Sequence, residues 1–116
     1  MYTASYAALP HLVQIAVQTA GPIDFGFFLL PASIEVARAG DRGPPVPDFL
    51  NASYSDAIAL LMEAVNNHRA EPWDQDMVVS ASAAVSVSKG HHRLAEALMN
   101  LDDDLIGKLV DLTLLD

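Results

Sequence analysis

Between Ser5 and Val17 the apolar residues Leu9, Leu12, Val13 and Ala16 fall at the i, i+3, i+4, i+7 positions of a helix with one buried face. This spacing predicts a first helix over residues 3–19, with Pro10 as a bend inside it and Gly21-Pro22 as its stop. Tyr6, Leu9, Leu12, Val13 and Ala16 are expected to be buried against the helix ending near Ala39. His11 and Gln14 are expected on the wetter side.

Residues 23–39, "IDFGFFLLPASIEVARA", form a second apolar segment, in which Gly26 and Pro31 predict a kink or a restart near Leu30. "GDRGPPVPD", Gly40 to Asp48, is the clearest loop, with two Gly, three Pro and three charges in nine residues. A third helix is predicted from Pro47 or Asp48 to His68, on the stripe Leu50, Tyr54, Ala57, Leu61, Ala64 and Val65. "EPWD" then breaks the chain at Glu71 to Asp74.

Gln75 to Ser88 is ambiguous. "VSASAAVSVS" alternates like a half-buried strand, yet no other segment alternates to pair with it. Small residues suit a helix packed closely between two others, so a helix is predicted, with Gly90 at its C′ position. Two short helices follow, His91 to Met99 and Asp102 to Leu115, the second opening on acids that favour the positive end of a helix dipole.

A weak internal repeat links these elements. "SYAALPHLVQIAV" from Ser5 and "SYSDAIALLMEAV" from Ser53 align at an offset of 48, with the Ser-Tyr pair, Leu12/Leu60, Ala16/Ala64 and Val17/Val65 identical. Farther on, "SIEVARAGDR" and "AVSVSKGHHR" align at an offset of 50 or 51. Helix-pair units of about 40–47 residues are the period of HEAT and armadillo solenoids.

Pro10-His11-Leu12-Val13-Gln14-Ile15 resembles the Pro-x-Leu-x-x-Leu of a first HEAT helix, with Ile15 in the last place. The chain also resembles a group of bacterial HEAT-like proteins of largely uncharacterised function that carry a Thr-Val-Tyr-x-Ala-Ser-Tyr-Ala-Ala-x-Pro-x-Leu-Val stretch. Tyr2, Ala4, Ser5, Tyr6, Ala7, Ala8, Pro10, Leu12 and Val13 match it, and "Tyr-x-x-Ala-Ile" follows at Tyr54 to Ile58. The resemblance spans most of the chain, and its specific part is the first fifteen residues. It implies an all-α fold, an α–α superhelix of HEAT-like helix pairs with five or six helices, in a single domain over residues 1–116. In the proteins it resembles, further helix normally precedes this motif, so a truncated N-terminal cap is expected. An uncapped solenoid end exposes apolar surface and favours homo-oligomers.

Composition narrows the function classes. The 116 residues are 52% hydrophobic and 18% charged, too apolar for disorder. No run reaches the roughly 20 apolar residues of a membrane span, so no membrane partner is expected. Zero cysteines exclude a disulfide framework, a thiolate nucleophile and a cysteine zinc site. They fit a cytoplasmic protein. Net charge is −9, and Arg38, Arg42, Arg69, Lys89, Arg93 and Lys108 are scattered, which disfavours nucleic acid. The acidic surface either suits a basic protein partner or simply keeps an apolar protein in solution, the second being the favoured reading.

Candidate chemistry is sparse. His92 and Glu96 stand four apart on one helical face beside His91, part of a metal set whose third ligand would come from elsewhere, such as His68. "DDDLIG", Asp102 to Gly107, fails as a calcium loop because Ile106 and Thr113 hold its fifth and twelfth places. "GDRGPP" lacks the Lys-Ser/Thr of a phosphate loop. Asp74 and Asp76 read as helix-start acids, Trp73 as an anchor for the inter-helix turn, and His11 as a polar-edge residue. No nucleophile, base and oxyanion site assemble, so the expectation is a non-enzyme with no catalytic, cofactor or metal residues. The expected function is a protein-interaction scaffold, with an immunity- or antitoxin-like protein that caps a basic toxin as its specific form. The alternatives are a small metal- or ligand-dependent enzyme using His91, His92 and Glu96, and a structural homo-oligomer that buries residues 23–34.

Overall fold

The computed structural model describes residues 2–114, with side chains from 3 to 112. Among them the protein is all-α, with helices α1 (Tyr2–Gln18), α2 (Gly26–Ala39), α3 (Asp48–Asn67), α4 (Gln75–Ser88), α5 (His92–Met99) and α6 (Asp103–Leu114). The expected end of the last helix at Leu115 lies outside the described residues.

The expected stripe of α1 is largely observed: Tyr6, Leu9, Val13 and Ala16 are buried, Leu12 is half-buried, and His11 and Gln14 are exposed. Its main partner, however, is α3, with α2 second. The direction of the α1–α3 pairing follows from three contacts. Tyr6 meets Tyr54 edge-on near both N-termini, with ring centroids 5.4 Å apart and planes at 81°. At the other end, His68 Nε2 donates to the Ala16 carbonyl (2.7 Å) and Asn67 Nδ2 to the Val17 carbonyl (3.1 Å). The two helices are therefore parallel and nearly in the register of the sequence repeat. These donors also satisfy two carbonyls that the C-terminus of α1 leaves without intrahelical partners.

Of the kink or restart expected near Leu30, the restart does not occur. Residues 23–25 form part of the connection, and α2 starts at Gly26 and runs unbroken through Pro31. Pro31 costs the helix one backbone bond, but its ring is fully buried in the core, which offsets the loss. Little of the 23–34 segment is left over for another chain: Phe28, Pro31 and Ala32 are buried and Ile23, Phe25, Phe27 and Ile34 pack against the core, while Leu30 is exposed.

α4 is a helix, as its small residues predict. Ser80, Ala81, Ala83, Ala84, Ser86 and Val87 are buried, and the helix touches α2, α3 and α5. Ser82 and Ser86 take their partners within the helix, donating to the carbonyls of Val78 and Ser82 one turn back. Asp74 caps α4 by accepting from the Met77 amide (2.9 Å), and Asp102 caps α6 by accepting from the Leu105 amide (2.8 Å).

α2 and α4 end alike. The His91 amide donates to the Ser86 carbonyl and the Gly90 amide to the Val87 carbonyl, the paired bonds of a Schellman motif, with Gly90 at φ +83°. After α2, the Arg42 and Asp41 amides donate to the carbonyls of Ala37 and Arg38, and Asp41 holds the left-handed position at φ +56°. The glycine that aligns with Gly90 in the sequence, Gly40, sits one residue too early to take that role.

Among the described residues no other helix packs against α6. Leu105, Leu109, Val110 and Leu112 are 40–61% exposed along it.

Candidate functional site

Glu35 is the only acid in α2, and only 4% of its surface is exposed. A buried charge needs partners, and four hydrogen bonds converge on this one. Arg38, one helical turn on, donates from Nε to Oε1 and from Nη2 to Oε2, both at 2.7 Å. The Tyr54 hydroxyl of α3 donates to Oε1 (2.7 Å), and His92 Nε2, at the start of α5, donates to Oε2 (2.8 Å). One carboxylate thus ties α2, α3 and α5 together.

Burial pushes the Glu35 pKa up, but the hydrogen bonds from Arg38, Tyr54 and His92 outweigh it, and the net shift is downward. Arg38 is held more firmly protonated, first by its hydrogen bonds to Glu35. Tyr54 is pushed up, first by burial and then by its bond to Glu35. The group is locked as carboxylate, guanidinium and neutral phenol. A carboxylate held ionised in this way is a poor general acid at neutral pH.

Beside this cluster lies a cleft of about 360 Å³. Glu35, Arg38 and Tyr54 line it, and Asn51 and Ser55 add polar groups from α3. Pro45 and Val46 from the 40–47 loop and Ile58 of α3 complete the lining. Asn51, Tyr54, Ser55 and Ile58 share one face of α3 through their i, i+3, i+4, i+7 spacing. The loop is latched in place by the Tyr6 hydroxyl, which donates to the Pro44 carbonyl (2.6 Å).

His91, His92 and Glu96 do not converge. His91 is exposed, His92 turns to Glu35, and Glu96 accepts from Arg42 (2.5 Å). His68 is buried near the C-terminus of α1, with one ring nitrogen on the Ala16 carbonyl and the other on Glu71, and stacks edge-on with Phe28. Both ring nitrogens thus face oxygen atoms of neighbouring groups. Among the described residues no group of three or more His, Asp or Glu side chains is placed to hold a metal ion. No helix among them is long and apolar enough to cross a membrane.

Trp73 packs against the core, as an anchor would, but its buried Nε1 has no hydrogen-bond partner among the described residues. It lines an apolar groove with Val65, Val85, Leu94 and Leu98.

The Glu35 cluster is the part that reading the sequence missed. Its members lie 3, 19 and 57 residues from Glu35. The available hint was a lone acid in the run "FFLLPASIEVARA" with a basic residue three places on. No protein-family model, curated protein or solved structure matches the chain.

Proposed function

We propose that the protein is an acidic protein-interaction module, built from HEAT-like helix pairs, that docks a basic protein partner through α6. The observation that carries this reading is the position of α6. It is amphipathic, it presents apolar side chains to solvent, and no other helix covers it among the described residues. Apolar surface gathered on one element in this way marks an interaction site. Asp103, Asp104 and Asp111 flank the apolar residues, and the whole chain carries a net charge of −9, which favours a cationic partner. The fully hydrogen-bonded Glu35 cluster ties α2, α3 and α5 into one frame. An immunity- or antitoxin-like protein that neutralises a basic toxin is the specific form of this function.

The test is photo-crosslinking from position 112 in the cell, followed by titration of the purified captured protein against wild type and against Leu105→Glu/Leu112→Glu. The expected result is a basic partner whose binding the double variant loses while its thermal unfolding is unchanged. Equal binding by the double variant, or capture of a second copy of this chain alone, overturns the reading.

A further inference from the structure

The cleft beside Glu35 combines three features of a ligand site: a fixed cation, neutral hydrogen-bonding groups and apolar walls. Its volume of about 360 Å³ lies at the small end of the roughly 300–1,000 Å³ range of small-molecule sites.

The orientation of Arg38 is the informative detail. Glu35 engages the guanidinium side-on, through Nε and one hydrogen of Nη2. A guanidinium has five N–H donors in a rigid plane. This pairing leaves the end-on edge, formed by Nη1 and the second hydrogen of Nη2, and that edge suits the two oxygens of a second carboxylate. Arg38 lines the cleft and is 36% exposed, so the cation is held in place on one side and open on the other. Tyr54 and His92 share the Glu35 charge with Arg38, so Arg38 does not face that carboxylate alone. Asn51 and Ser55 add an amide and a hydroxyl to the lining, and Val46, Pro45 and Ile58 add apolar surface.

We propose that this cleft binds a small aliphatic monocarboxylate. Its carboxylate takes the end-on edge of Arg38 and a donor from Asn51 or Ser55, and its short hydrocarbon chain lies against Val46 and Ile58. A dicarboxylate is disfavoured, because its second charge would meet apolar walls.

The test is an NMR titration of the isotope-labelled chain with butyrate, with butyramide as the neutral isostere. The expected result is saturable shifts at the Asn51 side-chain amide, the Arg38 guanidinium and the Val46 and Ile58 methyls, with little response to butyramide. Asn51→Ala, which leaves the Glu35 cluster intact, should weaken butyrate binding by about tenfold. Arg38→Lys, which keeps the charge but loses the fork, should weaken it by about ten- to a hundredfold. If Arg38→Lys does not fold, Asn51→Ala and Ser55→Ala carry the test. The proposal is overturned if butyrate shifts no cleft resonance, if butyramide shifts them equally, or if Asn51→Ala and Ser55→Ala both bind butyrate as wild type does.

Discussion

Replacing Glu35 by Gln keeps the side-chain volume and removes the charge on which α2, α3 and α5 converge. The amide offers one acceptor oxygen where the carboxylate offered two, and its NH₂ faces donors that previously had an acceptor. Breaking a buried ion pair from one side costs about 3–5 kcal/mol. Arg38 is 36% exposed, so water offsets part of that loss, and the expected destabilisation is about 2–3 kcal/mol. For a chain of this length that corresponds to a fall in Tm of roughly 8–12 °C. Urea unfolding followed by far-UV circular dichroism reads it directly.

The same substitution has a pH signature. The folded-state pKa of Glu35 lies below its ordinary value of 4.5, so its contribution is fully present above that value and is lost as pH falls through the folded value. The gap between wild type and Glu35→Gln should therefore be constant at neutral pH and close in acid. A gap under about 0.5 kcal/mol at neutral pH, the range of an ordinary surface substitution, refutes the reasoning. So does a full-sized gap that persists after Glu35 is protonated.

Tyr54→Phe keeps the edge contact with Tyr6 and removes the hydrogen bond to Glu35, for an expected loss of about 1.5–3 kcal/mol in the same urea assay. Gly90→Ala meets no steric obstacle but forces a Cβ into the left-handed region, so a loss of about 1 kcal/mol is expected by thermal unfolding. Asp41→Gly relieves the same conformation after α2 and should gain a few tenths to about 1 kcal/mol, the opposite sign at the equivalent position. Asp74→Ala removes the cap on α4 and should cost about 1 kcal/mol by chemical denaturation.

These sites also show how far the sequence could be read. Helix limits set by Pro and Gly, such as the start of α3 after Pro47, were legible because backbone restrictions act locally. Pro31 does not restart the helix because its local cost is offset by burial, which depends on the other helices. The repeat offset of 48 was visible, and the parallel pairing of α1 with α3 gives it a physical counterpart in the Tyr6–Tyr54 contact. The Glu35 cluster was hidden because its hydrogen bonds cross three helices. His92 stood out in the sequence as a metal ligand beside Glu96, whereas in the structure it donates to Glu35.

The parallel pairing of α1 with α3 also affects synthesis. Leu9, Val13 and Ala16 find their main cover on a helix that begins at Asp48, and Tyr6 meets a ring 48 residues later. At about 5–20 residues per second, that interval leaves the apolar face of α1 without its principal partner for roughly 2–10 s on the ribosome. Until then α2 is the partner within reach, through a seven-residue connection. The nascent chain thus passes through a two-helix stage whose packing must later be shared with α3, and a chaperone that binds short apolar helices has its opening there.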